Sequence, residues 1–308
     1  MKLHQLRDFL AIVEKGSISA AAKYLGIAQP SLSRSIRELE KELGVPLLER
    51  HARGAALTPM GAMFAKRARL SVMELEKARD EITQNQGQVH GNVTVCISGV
   101  SNLTLLNAAL TPFQKRYPLV NLNLVEGVYP LVESRLKEGL IDLYVGPAPH
   151  AGPSAEFRLE KLFHPPRAVL ARKGHPLAGA TSLRQLLDAN WLTTSITDRA
   201  ETEFGAIFEE LGLPPPRLSI RVSSALTLIT ALTGSDALAI TSRTWADLPM
   251  FANLITVIPV EEAMMGPSIA LICRAAVPPT PAAEYFCDMI RRAAVPMARR
   301  YSSRNPTD

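Results

Sequence analysis

The stretch that decides the reading runs Ser19-Ala20-Ala21-Ala22-Lys23-Tyr24-Leu25-Gly26-Ile27-Ala28-Gln29-Pro30-Ser31-Leu32-Ser33-Arg34. Its Ala20-Ala21-Ala22 run combines high helix propensity with little bulk, so a helix here can approach a neighbour closely. Ser17 or Ser19 can cap that helix, and Gly26 can stop it, because glycine enters the left-handed conformation without steric cost. Gln29-Pro30-Ser31 then opens another helix, with proline in the first turn where a missing N–H matters least. Two helices hinged at a glycine also occur in plain helical bundles. The residues on either side favour a DNA-reading module.

Upstream, Leu3, Leu6, Phe9 or Leu10, and Val13 recur at helical spacing and predict a first helix ended by Gly16. Downstream, Leu32, Ile36, Leu39 and Leu43 form the inward stripe of the helix opened by Gln29. That leaves Gln29, Ser31, Ser33, Arg34 and Arg37 outward or flanking, with amide, hydroxyl and guanidinium groups suited to base edges and phosphates. Next, Pro46-Leu47-Leu48 and Ala55-Ala56-Leu57 bracket Glu49-Arg50-His51-Ala52-Arg53-Gly54, which reads as a hairpin wing. Gln29, Pro30 and Ser33 are expected to read base edges, and Ser31 and Arg34 to hold phosphate or the groove wall. Arg53 is expected to enter the adjacent minor groove, whose negative potential attracts arginine, and Arg50 to bind backbone or brace the wing.

The first sixty positions also resemble the N-terminal domain of LysR-type transcriptional regulators. The matching stretches include Leu6-Arg7-Asp8-Phe9, Gly16-Ser17-Ile18-Ser19-Ala20-Ala21-Ala22, Gln29-Pro30-Ser31-Leu32-Ser33, Ile36-Arg37-Glu38-Leu39-Glu40, Leu43-Gly44-Val45-Pro46-Leu47-Leu48-Glu49-Arg50 and Leu57-Thr58-Pro59-Met60-Gly61. Length and domain order fit the resemblance over the whole chain, but only the first third carries specific motifs.

Composition agrees with a nucleic-acid partner. The net charge is +5, and residues 1–90 hold 14 Lys and Arg against 10 Asp and Glu, leaving an excess of only one positive charge for the remainder. A modest basic excess positions a protein on phosphates without specifying sequence. With 308 residues and 47% apolar side chains, the chain can fill two or three cores. No run of eighteen apolar residues suggests a membrane span, and charges at Lys2, Arg7, Asp8, Glu14 and Lys15 break up any signal-peptide core, so a cytoplasmic protein is expected. Cys96, Cys273 and Cys287 are too few for a disulfide scaffold and read as reduced core thiols.

After the wing, Met60, Phe64, Ala68, Val72, Leu75, Ala78 and Ile82 recur every three or four residues and predict a long helix with one apolar stripe. Such a helix lacks a partner in its own chain, so it is expected to pair with its copy in a second subunit. The resemblance implies the same linker-helix dimer, commonly assembled into a homotetramer. The polar segment Gln84-Asn85-Gln86-Gly87-Gln88-Val89-His90-Gly91-Asn92 reads as a hinge.

Beyond the hinge, strands and helices alternate. Strands are predicted at 93–97, 120–125 and 140–145, with helices at 103–117 and 131–138, which points to a parallel sheet. After Pro165-Pro166 come strands at 168–171, 191–194, 219–222, 237–241 and 254–258, with helices at 182–188, 201–211 and 225–232. A strand at 268–273 and a helix at 282–294 read as a return to the first lobe. The resemblance implies this two-lobed α/β architecture, that of type 2 periplasmic solute-binding proteins. The expected division is a winged helix-turn-helix domain at 1–58, a linker helix and hinge at 59–90, and an effector-binding domain at 91–308. Its first lobe spans approximately 91–164 and 266–300, and its second 165–265.

In open α/β sheets, ligands bind beyond the carboxyl ends of strands, near helix N-termini that favour anions. That rule selects Ser98, Val100, Ser101, Tyr129 and Pro147 on the first lobe, and Thr194, Ser195, Ile196 and Ser223 on the second. Hydroxyls and helix ends facing an apolar ring suit a small carboxylate or sulfonate with a hydrophobic body.

Catalytic, metal and cofactor motifs are missing. The six histidines show no His-x-x-x-His spacing, no paired Cys-x-x-Cys occurs, and neither a glycine-lysine phosphate loop nor a Gly-x-Ser-x-Gly elbow is present. No enzyme activity and no cofactor are therefore expected. The sequence reads as a ligand-responsive regulator binding a pseudo-palindromic site on double-stranded DNA, with RNA polymerase a possible further partner. Two alternatives stay open: a redox sensor using its cysteines, as in one branch of the resembling family, or a solute-binding protein without DNA function. The tail 299–308 is polar and is expected to be disordered.

Overall fold

The computed structural model describes residues 1–51, 54–87, 90–129, 131–194 and 200–302. The chain divides into two compact units, Met1–Gln88 and Val89–Asp308.

The first unit opens with α1 (Leu3–Lys15), α2 (Ile18–Leu25) and α3 (Gln29–Leu43), followed by β1 (Leu48–His51), β2 (Gly54–Leu57) and α4 (Pro59–Asn85). Ser17 caps α2 by accepting the Ala20 amide, and Gly26 ends it with φ at +66°. Phe9, Ile12, Ala21, Ala22, Leu32, Ile36, Leu39 and Leu47 close the core, and the small alanines let α2 lie against α1. Leu43, expected in this stripe, is partly exposed at the helix end. Strand β1 begins at Leu48, the last residue of the apolar piece, and continues through Glu49, Arg50 and His51, which pair with Ala56, Ala55 and Gly54.

The long helix is not solitary along its whole length. Ala68 and Val72 are buried against Leu6 of α1, Phe64 stacks 5.5 Å from Phe9, and Arg7 pairs with Glu76 at 3.2 Å. Its second half differs: Leu75 is 53% exposed and Ile82 60%. The apolar stripe thus serves two purposes, its first turns packing on α1 and its last turns facing outward. The expected hinge is also shorter than read, because α4 runs to Asn85 and β3 starts at His90.

The second unit holds two five-stranded sheets. Its first lobe comprises β3 (His90–Ile97), α5 (Gly99–Ser101), a π-helical turn (Asn102–Leu106), α6 (Asn107–Arg116), β4 (Leu119–Glu126), α7 (Glu133–Lys137), β5 (Leu143–Pro147) and β6 (Phe157–Phe163). The second lobe comprises β7 (Arg167–Arg172), β8 (Asn190–Thr193), α8 (Ala200–Glu209), β9 (Leu218–Arg221), α9 (Ala225–Thr233), β10 (Ala237–Ser242), α10 (Thr244–Asp247) and β11 (Ile255–Ile258). The chain then returns with β12 (Ile269–Arg274) and α11 (Pro281–Ser302).

The sheet orders are β4-β3-β5-β12-β6 and β11-β7-β10-β8-β9. The strands whose alternation pointed to a parallel sheet, β3, β4 and β5, are parallel, and each sheet also contains antiparallel strands. Strand β12 runs antiparallel to β5 and β6, and β7 runs antiparallel to β10 and β11. The reversal follows from the two crossings, since a strand entering a lobe from its neighbour arrives without a crossover helix and lies against the local direction. Strand β6, absent from the sequence reading, has the alternating pattern of an edge strand and completes the first sheet.

Alternate side chains divide each sheet between two cores. Val93, Val95 and Ile97 pack with Phe113 and Phe286 under α6 and α11, whereas Cys96, Tyr144 and Ile272 pack with Leu136 under α7. In the second lobe Val169 and Ala171 meet Trp191 and Phe208 on one face, while Ala168 and Leu170 meet Leu228 and Trp245 on the other. Burial on both faces explains why these strands read as continuous apolar runs.

The tail departs from expectation. Helix α11 extends to Ser302, and Tyr301 is only 6% exposed. Residues 303–308 lie outside the described part of the chain.

Candidate functional sites

The first site is the exposed edge of α3. Gln29, Pro30, Ser31, Arg34 and Arg37 are exposed along its first turns, beside exposed Tyr24 and Lys23 at the end of α2. Ala28 stands at the N-cap and supplies no side-chain hydrogen bond, Pro30 has no N–H, and the Ser31 and Leu32 amides donate to the Ala28 carbonyl at 3.0 and 3.2 Å. Ser33 is only 8% exposed, so it flanks the polar edge rather than projecting from it. Ser35, one turn from the edge, donates to the Asp8 carboxylate and ties α3 to α1 at 2.5 Å. Lys15 lies 4.0 Å over the Tyr24 ring, placing a cation on the same flank.

Backbone contacts set the height of the wing. The Ala55 amide donates to the Gly16 carbonyl at 2.9 Å, and a Cβ on Gly54 would stand 2.5 Å from that same oxygen. Glu40 accepts the amides of Leu47 and Leu48 at 2.8 and 3.1 Å, fixing the chain as it leaves α3. Thr58 caps α4 through the Gly61 amide and donates to the Pro46 carbonyl at 2.8 Å. Strands β1 and β2 pair as far as His51 and Gly54. Arg53 lies outside the described residues, as does the side chain of Arg50.

The second site is the cleft of the second unit. Ser98 begins the helical run after β3, and its hydroxyl donates to Ser101 Oγ at 2.9 Å; both side chains are buried. Val100 is partly exposed. Across the cleft, Ser224 rather than Ser223 caps α9, accepting the Thr227 amide at 3.2 Å, while Ser223 stands exposed beside it. The Val222 amide donates to the Thr193 carbonyl at 2.9 Å, so Thr194 and Ser223 leave neighbouring strand ends. A Cβ on Gly99 would lie 2.8 Å from the Ala225 Cβ and 3.3 Å from Trp245, which brings the Ser98–Ser101 turn against the start of α9. Leu103 continues that contact into the second-lobe core.

Pro147 ends β5, where it pairs with Ile269, and its carbonyl accepts the Tyr144 phenol at 3.2 Å. Tyr129, partly buried, packs edge-on to Tyr144 at 5.8 Å against the core under α7. Its hydroxyl is buried without a hydrogen bond among the described residues, and burial pushes the phenol above its ordinary range, with nearby Glu133 adding to the rise. Ser195 and Ile196 lie outside the described residues. The sequence reading missed Glu126, whose carboxylate accepts the Ala225 amide across the cleft. Nothing in its local pattern marks it, since the partner lies 99 residues away.

The thiols are all free and buried. Burial pushes Cys96 up to about 11 and moves Cys287 upward as well, so neither is a reactive thiolate at neutral pH. No helix among the described residues is long and apolar enough to cross a membrane.

Comparison with known proteins follows this division. Residues 3–62 match the family described as bacterial regulatory helix-turn-helix protein, lysR family, and residues 86–295 match the LysR substrate binding domain. Curated relatives include the HTH-type transcriptional regulator BudR of Raoultella terrigena, 36% identical over 61% of this chain and 66% of that protein. The regulator PcaQ of Agrobacterium fabrum is 26% identical over 96% of this chain and 95% of its own length. Among solved structures, CbnR covers 96% of this chain and 99% of its own, with a TM-score of 0.67 at 22% identity. Full-length CbnR complexed with its target DNA covers 95% and 100%, with a TM-score of 0.69 at 22% identity.

Proposed function

This chain belongs to the LysR family of DNA-binding transcriptional regulators with an effector-binding domain, and we propose that its effector is a small carboxylate or sulfonate with a hydrophobic, aromatic or aliphatic body. The observation that carries the ligand reading is the meeting of the Ser98–Ser101 turn with the start of α9, two helix beginnings from different lobes in contact beyond their strand ends. Ser98, Val100 and Ser101 supply the first wall, and Thr194, Ser195, Ile196 and Ser223 the second, with Tyr129 and Pro147 behind the first. Tyr129 serves there as support for the wall rather than as an apolar lid.

On DNA, Gln29, Pro30 and Ser33 read base edges, Ser31 and Arg34 hold phosphate or the groove wall, Arg53 enters the minor groove, and Arg50 binds backbone or braces the wing. The exposure of four of the five α3 residues supports this assignment. The outward apolar residues of the second half of α4 support a homodimer through that helix, and two dimers would make the homotetramer. A twofold dimer presents two recognition helices to two half-sites, hence a pseudo-palindromic operator in the cytoplasm. Effector binding shifts the equilibrium between assemblies only by its preference for one of them.

The test is fluorescence anisotropy of full-length protein on DNA from upstream of its own gene at moderate salt, with and without aromatic and aliphatic acids. Sequence-preferring binding modulated by an acid is the expected result. Binding indifferent to every acid removes the ligand assignment, and binding indifferent to sequence removes the base-reading assignment. A redox-sensing reading has weaker support, because buried thiols with raised pKa react slowly.

A further inference from the structure

Helix α11 belongs to the first lobe but ends on the second. Phe286, Ile290, Ala294 and Tyr301 lie in the first-lobe core with Val93 and Phe113, and the Tyr301 ring packs 5.8 Å from Phe163. The phenol nevertheless shares a hydrogen bond with the hydroxyl of Thr244, the first residue of α10 in the second lobe. Ser242, the last residue of β10, donates to that same Thr244 oxygen at 2.9 Å, and all three side chains are buried. One residue before Tyr301, Arg300 pairs at 2.9 Å with Asp247, the last residue of α10. A single turn of α11 therefore grips α10 at both ends.

Between those ends stands Trp245, buried in the second-lobe core. A Cβ on Gly99 of the first lobe would lie 3.3 Å from its Cζ2 and 2.8 Å from the Ala225 Cβ, and Leu103 packs against the same core. Helix α10 thus carries both the grip of α11 and part of the wall on which the first-lobe turn rests. Parting the lobes at Gly99 displaces Trp245, and a helix of 4 residues is too short to leave Thr244 and Asp247 behind. Such a movement loads the bonds to Tyr301 and Arg300. Breaking a bond between buried hydroxyls leaves both unsatisfied, so the gripped arrangement is favoured.

We propose that the last turn of α11 is a latch on the interlobe cleft: while Tyr301 and Arg300 hold α10 the lobes stay closed at Gly99, and releasing them opens the space between. The regulatory meaning rests on the reading that the effector enters that space, whereas the latch itself is a property of the protein without ligand. The balance of closed and open lobes is then set by the C-terminal turn, and an effector shifts it by its preference for one of the two.

Hydrogen–deuterium exchange of full-length wild type, Tyr301→Phe and the double variant Tyr301→Phe/Arg300→Ala, read by mass spectrometry, tests the latch. Peptides covering 98–106 and 225–233 report the lobe contact, and peptides of the central strands β5 and β7 report the fold of each lobe. Exchange at the contact is expected to be roughly threefold faster in Tyr301→Phe and faster still in the double variant, with β5 and β7 unchanged. Acceleration confined to α10 and α11, or none at all, reduces Tyr301 to a local anchor and overturns the latch. Acceleration of β5 and β7 by the same factor shows that the turn only stabilises the fold, which overturns it as well. No ligand enters the measurement, so the latch stands or falls separately from the effector reading.

Discussion

The phenol of Tyr301, in the last turn of α11, shares a hydrogen bond with the hydroxyl of Thr244 at the start of α10, joining the two lobes of the second unit. The same turn sends Arg300 to Asp247 at 2.9 Å, and the Tyr301 ring packs 5.8 Å from Phe163, the last residue before the first crossing between lobes. A segment that reads as a polar tail is thus a clasp beside the hinge. Tyr301→Phe keeps the ring and removes the bond, and should cost about 1 kcal/mol, the net worth of one hydrogen bond. Tyr301→Ala should cost about 3 kcal/mol or more by emptying the pocket as well. Urea unfolding of full-length protein measures both, and equal effects of the two changes would refute the clasp.

Gly61 sits where α4 crosses the exit from α3, and an added Cβ would stand 2.0 Å from the Leu47 carbonyl oxygen. Gly61→Ala must therefore push β1 away from α4, at a cost of roughly 1–3 kcal/mol as for other overpacked cores. DNA affinity should fall with it, because the same carbonyl holds the Thr58 amide at the base of the wing. Ala62→Ser, at an exposed neighbouring position, should leave both stability and anisotropy titrations unchanged.

Arg34 and Gln29 occupy the same exposed edge but should fail differently. Arg34→Ala should weaken binding to all sequences and reduce the dependence of log affinity on log salt by about one contact. Gln29→Ala should cost about 1–3 kcal/mol on the preferred operator and relax the preference at one base pair. Titrations at several salt concentrations separate the two; a salt slope unchanged by Arg34→Ala would show that its guanidinium does not reach phosphate.

Ile82 is the most exposed apolar residue in the second half of α4. Ile82→Glu places a charge in the seam proposed to join two copies, and sedimentation should show a lighter species with the fold intact. A sedimentation profile identical to wild type would place the dimer contact elsewhere.

The raised thiol of Cys96 has a signed consequence for stability. Between the ordinary thiol value of 9.0 and about 11, the unfolded chain loses its proton while the folded chain keeps it, so the native state binds more protons. Stability therefore falls as pH rises through that window and is insensitive to this group below it. At neutral pH, titration with a thiol reagent should find Cys96, Cys273 and Cys287 unreactive until denaturant is added. Rapid labelling of the native protein would revive the redox reading.

Local pattern predicted the helix-turn-helix because each of its signals acts within a turn or two. Ser17 caps, Gly26 stops, and Leu32, Ile36 and Leu39 share a face by helical periodicity. The strands of the second unit were readable for a similar reason, since runs such as Leu143-Tyr144-Val145 are buried on both faces whatever their neighbours are. Strand β6 escaped because Phe157 to Phe163 alternates with charge, and only its pairing with β12 makes it a strand. Of the candidate ligand residues, Ser98 and Ser101 are buried and bonded to each other, Ser223 is exposed, and Tyr129 packs partly buried against the Tyr144 ring, contacts that no local pattern marks.

The order of residues along the chain determined the elements, the division into a helical unit and an α/β unit, and the polar edge of α3, since these depend on propensity, capping and burial patterns read over a few positions. Tertiary structure alone decided the rest: the antiparallel return of β12, the packing of half of α4 on α1, the clasp of Tyr301 on Thr244 and the reach of Glu126 to Ala225. Each of those joins residues far apart in sequence, and a contact whose free energy is realised only when distant segments meet leaves no periodic trace in either one.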